Sequence, residues 1–233
     1  MREHSSPRLL LFDIDGTLIS SGGQAGKLFT SALEAVYGTP GDIANYDFGG
    51  KTDPQIVFDL MMAEGLERSR VFDGLPAMRE LYLARLDAEL VGDRMRLMPG
   101  VVALLERLAR RSNLTLGLLT GNWEPGARTK LERVGLNGFF PFGAFGDDGI
   151  ERHELVPAAL ARAREAAGRP FAPEETLIIG DTVHDVSCGR AHGVPVLGVA
   201  TGRTTLERLE AAGASFVARD LDHAASVLPL LAA

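Results

Sequence analysis

A single cysteine, Cys188, excludes any disulfide within the chain and reads as a small buried hydrophobe. No apolar stretch approaches the roughly 18 residues that cross a bilayer. The opening MREHSSPR carries no apolar secretion segment ahead of the first hydrophobic run. Both features lead us to expect a cytoplasmic protein with no membrane partner. Basic excess is also missing: 24 Lys and Arg stand against 31 Asp and Glu, for a net charge of −7. A nucleic-acid partner is therefore not expected. Internal repeats and low-complexity segments are absent as well. What remains is a chain of 233 residues, 45% hydrophobic and 24% charged, long enough for one large domain or a core with an insertion.

The apolar runs Leu9–Phe12, Leu114–Leu119, Thr176–Ile179 and Val194–Val199 are short and nearly continuous, the pattern of strands covered on both faces; Ser215–Ala218 is a further candidate. Helical spacing marks Val101–Arg111, Pro125–Val134, Leu155–Ala167 and Thr204–Ala212. This alternation predicts an α/β fold, a doubly wound parallel sheet. Residues 20–97 break the rhythm, with no convincing strand and three amphipathic stretches, Gln24–Tyr37, Pro54–Ala63 and Phe72–Leu90. An all-helical insertion after the first strand is expected, with the core formed by 1–19 and 98–233.

Polar residues follow each of three apolar runs. Asp13-Ile14-Asp15-Gly16-Thr17 ends the first, Thr120-Gly121-Asn122 the second, and Gly180-Asp181-Thr182-Val183-His184-Asp185 the third. In an open parallel sheet, these are carboxyl ends and converge on one edge. A charge costs several kcal/mol to bury unless it is paired or metal-bound. Four carboxylates gathered there call for a hard divalent cation with oxygen ligands, Mg²⁺. Two look-alikes fail. A calcium loop opening at Asp13 needs glycine at its sixth position and Glu at its twelfth, where Gln24 stands. The P-loop pattern needs Gly at Ser21 and Ser or Thr at Leu28.

The motifs DIDGTL, LLTGN and IIGDTVHD, in this order and with the helical insertion between the first two, resemble the haloacid dehalogenase superfamily of phosphohydrolases. The branch of phosphoglycolate phosphatases and β-phosphoglucomutases looks most similar. The resemblance implies a Rossmann-like core with a helical cap and a Mg²⁺-dependent phosphatase acting on a small phosphorylated metabolite. It implies that Asp13 attacks phosphorus to form an aspartyl-phosphate, while Asp15 serves as general acid and base. Mg²⁺ would be held by the Asp13 carboxylate, the Asp15 backbone carbonyl, Asp181 and Asp185. Thr120, with the Gly121 and Asn122 amides, would bind the phosphoryl oxygens, and Gly16 would let the backbone turn beside them.

The pattern departs in one place. The family usually carries a lysine between its second and fourth motifs, and the segment from Asn137 to Gly180 has none. Arg152 is the leading substitute, able to supply the charge but not the shape of lysine. Arg128 and Lys130, on the helix after Asn122, are the alternatives. Lys51, in a glycine-rich break between cap helices, is a candidate for a substrate anion. Beside it, Thr52 or Asp53 reads as the N-cap of the next helix, with Pro54 in its first turn. Trp123 reads as a cleft wall or as packing, and His184 as a loop histidine. A phosphomutase would keep both aspartates and stays open, as does a binding module on a retired scaffold. A monomer and a homodimer are equally compatible with the sequence.

Overall fold

The computed structural model describes residues 8–227; the outer residues of the expected core, 1–7 and 228–233, lie outside the described ones. The chain begins with β1 (Leu9–Phe12), β2 (Ile19–Ser20), and helices α1 (Gln24–Tyr37), α2 (Asp53–Ala63) and α3 (Arg68–Glu89). It continues through β3 (Arg96–Leu97), α4 (Val101–Ala109), β4 (Thr115–Leu119), α5 (Glu124–Glu132), β5 (Gly143–Ala144) and α6 (Leu155–Ala167). The remaining elements are β6 (Thr176–Gly180), α7 (Val183–Ala191), β7 (Val196–Val199), α8 (Leu206–Ala212), β8 (Phe216–Ala218) and α9 (Leu221–Val227).

Six strands form one sheet in the order β5-β4-β1-β6-β7-β8, and every pairing is parallel. The pleat sorts its side chains between two layers. Leu10, Phe12, Leu177 and Ile179 join α4 and α5 on one face. Leu9, Leu11 and Ile178 join α6 and α7 on the other. All four β1 residues are fully buried. Each such side chain contributes about 1.5–3 kcal/mol, so burial on both faces holds this strand. The doubly wound α/β architecture is as expected from the sequence.

Between β2 and β3 lie three helices with their own apolar cluster, including Phe29, Leu33, Ile56, Met61, Met78 and Leu86. Thr52 caps α2, its hydroxyl accepting from the Gln55 N–H at 3.1 Å, and Pro54 sits in the first turn. Residues 20–97 are not strand-free, however. Ile19–Ser20 pairs antiparallel with Arg96–Leu97 in a two-stranded ribbon at the stem of the helical segment.

Candidate active site

β1 lies between β4 and β6, so the three polar motifs emerge side by side at the carboxyl edge of the sheet. They line a cavity of about 500 Å³ that also reaches the helical segment. One carboxylate oxygen each from Asp13, Asp181 and Asp185 lies within 4.8 Å of the others, and all three residues are buried. Burial pushes Asp13 up to about 6, opposed by the Arg152 guanidinium and reinforced by Asp185. Burial, then the charges of Asp13 and Asp185, push Asp181 up to about 8. Clustered hard oxygen donors, whose mutual repulsion adds to the rise of Asp13 and Asp181, fit a hard divalent cation.

Local structure fixes each carboxylate. Asp185 lies in the first turn of α7. It closes a capping box with Thr182: its Oδ2 accepts from the Thr182 N–H at 3.0 Å, and its own N–H donates to Thr182 Oγ1 at 3.2 Å. The Thr17 hydroxyl donates to Asp181 Oδ1 at 3.0 Å, so this threonine braces the Asp181 carboxylate. Gly16 has φ 92°, and a Cβ there would stand 2.4 Å from Asp181 Oδ2.

Two buried cations divide the two leading aspartates. Arg152 Nη2 donates to Asp13 Oδ1 at 2.8 Å, Asp185 Oδ1 at 2.6 Å and the Leu119 carbonyl at 3.0 Å. Its Nη1 donates to the Gly50 carbonyl at 3.2 Å. Lys130 Nζ donates to Asp15 Oδ2 and Asn122 Oδ1, each at 2.6 Å. The neighbouring carboxylates hold both cations above their ordinary pKa despite burial. Asn122 Nδ2 completes the set, donating to Asp15 Oδ2 and Thr120 Oγ1, each at 2.8 Å. Arg128 is occupied elsewhere, with Glu124, Asn137 and the Phe140 carbonyl.

Lys130, an alternative for the missing lysine, pairs with Asp15 and not with Asp13. Its signal was the buried stripe of α5, where Ala127, Lys130 and Leu131 fall at helical spacing. Asp53 was seen as a possible cap, but it also accepts from the Trp123 N–H at 2.8 Å, while its N–H donates to the Gly121 carbonyl at 2.7 Å. Burial pushes Asp53 up to about 7, against the pull of Lys130. Lys51 lines the cavity, with its ammonium 2.9 Å from both Asp59 Oδ2 and Tyr46 Oη. Trp123 packs in the helical cluster, its ring stacked 6.2 Å from Phe29. His184 lies in the first turn of α7 instead of a loop and lines the cavity, its pKa lowered by burial and by Arg152.

Fold and candidate site together are those of an α/β domain with its polar residues gathered at the carboxyl edge of a parallel sheet. The chain belongs to the haloacid dehalogenase-like hydrolase family, whose model matches residues 7–193, and it is a phosphatase. It is 28% identical over 216 residues to a phosphoglycolate phosphatase of Pseudomonas putida, spanning 92% of this chain and 77% of that one. A phosphoglycolate phosphatase of Rhodospirillum rubrum is 30% identical over 84% of this chain and 80% of its own. The tyrosine-protein kinase PtkA of Mycobacterium tuberculosis is 32% identical over 84% of this chain and 63% of its own. Among solved structures, a hydrolase from Pseudomonas syringae superposes with a TM-score of 0.68 at 23% identity, covering 93% of this chain and 94% of that one. Among the described residues, no helix is long and apolar enough to cross a membrane.

Proposed function

We propose that this protein is a Mg²⁺-dependent phosphatase that cleaves a small phosphomonoester of the cytoplasm, phosphoglycolate-like or a sugar phosphate, through an aspartyl-phosphate. The observation that carries the reading is the convergence of the Asp13, Asp181 and Asp185 carboxylates at the carboxyl edge of the sheet, with Arg152 paired to Asp13 and Asp185. Asp13 attacks phosphorus; its Oδ–P bond forms as the bond to the leaving oxygen breaks. Asp15 gives that oxygen a proton, then takes one from the water that cleaves the acyl phosphate and frees Asp13. Arg152 holds the nucleophile and offsets charge on the phosphoryl group. Thr120 and the Gly121 and Asn122 amides bind phosphoryl oxygens, and Gly16 lets the chain turn beside them. Asp13, the Asp15 carbonyl, Asp181 and Asp185 would hold Mg²⁺, which supplies neutralising charge when bound. In this reading 20–97 is a cap closing over a core of 1–19 and 98–233, and Lys51 meets a substrate anion from the cap side.

Turnover of an aryl phosphate, with Mg²⁺ and with EDTA, tests the proposal. Hydrolysis is expected to require Mg²⁺ and to disappear in Asp13→Asn. No Mg²⁺-dependent hydrolysis of the aryl phosphate or of a panel of metabolite phosphates would overturn it. Sugar-phosphate isomerisation without net phosphate release would assign a mutase instead.

A further inference from the structure

The cavity is larger than one phosphate requires. At about 500 Å³ it falls within the range of sites for drug-sized ligands. Buried residues on its wall include Asp13 and Arg152 and the apolar or aromatic Phe29, Ile56 and Tyr82. Three exposed arginines, Arg96, Arg203 and Arg208, line its mouth. Among the described residues, these three side chains make no hydrogen bond, ion pair or ring contact. The other cations on the wall are engaged: Arg152 with Asp13 and Asp185, Lys130 with Asp15, and Lys51 with Asp59. One exposed carboxylate shares the mouth, Asp47, whose Oδ1 accepts from the Gly49 N–H at 3.1 Å. In a chain of net charge −7, three unpaired guanidinium groups at one opening form a local field of opposite sign.

The arginines stand on anchored backbone. Thr201 Oγ1 donates to the Gly16 carbonyl at 2.6 Å, tying the loop after β7 to the DxD turn. Gly202 packs so tightly on Asp181 that a Cβ would stand 1.8 Å from its Oδ2. Arg203 is the next residue, and Arg208 lies in α8 just beyond. Arg96 comes from the stem ribbon, paired with Ser20. The geometry points to a second anion subsite at this mouth, formed by Arg96, Arg203 and Arg208. The substrate is thus a phosphomonoester with another anionic group, carboxylate or phosphate, at the end away from the reacting phosphorus. Guanidinium forks suit either oxyanion. This rests on the phosphatase reading for the orientation of the ligand.

Calorimetry on the Asp13→Asn protein with Mg²⁺ tests it without requiring turnover. The ligands are phenyl phosphate, 4-carboxyphenyl phosphate and 1,4-phenylene bisphosphate. At low salt, at least one doubly anionic ligand is expected to bind about tenfold or more tightly than phenyl phosphate, an advantage that shrinks as salt screens it. Which of the two gains assigns carboxylate or phosphate. Arg96→Ala/Arg203→Ala/Arg208→Ala in the same background is expected to bring the affinities together, and Arg203→Gln alone to close part of the gap. Equal affinities in the parent overturn the inference. So does a gap that survives the triple change, an equal weakening of all three ligands, or no binding by any. If the gap is present but the wild-type chain hydrolyses none of the three, the phosphatase reading fails and the subsite stands.

Discussion

Arg152 meets Asp13, Asp185 and two carbonyls from a single buried side chain. Removing one partner of a buried ion pair costs about 3–5 kcal/mol. Arg152→Ala is therefore expected to lower stability by that order in urea titrations, and Arg152→Lys by less, since charge returns without the fork. Lys130 differs: the Asp15 side chain it pairs with is 41% exposed, so water screens the loss. Lys130→Met, which keeps the stem packed, is expected to cost about 1 kcal/mol. Asp53 sets a pH dependence. Its folded value, about 7, lies above the ordinary 3.8, so the folded chain keeps a proton that the unfolded chain releases. That contribution to stability is complete below about pH 4 and is lost as pH rises through about 7, at most about 4 kcal/mol in all. Asp53→Asn, which keeps an acceptor for the Trp123 N–H, is expected to flatten the fall of Tm across that range. Arg152 was legible in the sequence because a lysine was missing where charge was needed. Lys130 was legible only as an alternative for that charge; its pairing with Asp15 was not, because only packing reveals that α5 turns it inward.

The contacts that tie the elements around the candidate site gather just before and at the start of α2, each ending on a backbone carbonyl. The Asp53 N–H reaches the Gly121 carbonyl, Thr52 Oγ1 donates to the Ile150 carbonyl, and Arg152 holds the Gly50 carbonyl. Gly121 permits this approach: a Cβ there would stand 2.1 Å from the Lys51 carbonyl oxygen. Gly121→Ala is expected to push α2 from the TGN turn and lower kcat/KM by at least about tenfold, with about 1–3 kcal/mol of overpacking seen in denaturation. The long elements were readable because their apolar residues repeat with the period of the structure they form. Leu9–Phe12, Gln24–Tyr37 and Leu155–Ala167 match residue for residue. The short ones lacked that signal. Gly143–Ala144 has no β-branched or aromatic residue, and the stem ribbon is two residues a side. α7 reads VHDVSCGRA; its first turn serves the site, and Gly189 lies so close to β7 that a Cβ would stand 2.3 Å from Val196 Cγ2. Its sequence therefore shows no apolar stripe of ordinary width.

The whole molecule carries one tryptophan, and it sits where its two parts meet. Trp123 begins α5 in the sheet layer, yet its ring packs with Phe29 and Tyr82 from the helical segment. Its fluorescence is expected to change when Mg²⁺ and inorganic phosphate are added together, and to stay put when the same is done with Asp13→Asn/Asp181→Asn. The two chain crossings between these parts are neighbours, with Ile19 paired to Leu97 and Ser20 to Arg96. The helical segment thus departs from and returns to one point, and the strand order of the sheet is indifferent to what lies between. Yet the segment is not independent of the strand ends, because Gly50 and Asp53 reach Arg152, Gly121 and Trp123 beside them. In the proposed anion subsite Arg96 comes from this ribbon and Arg203 and Arg208 from beyond β7, so selectivity is written on both sides of the crossing.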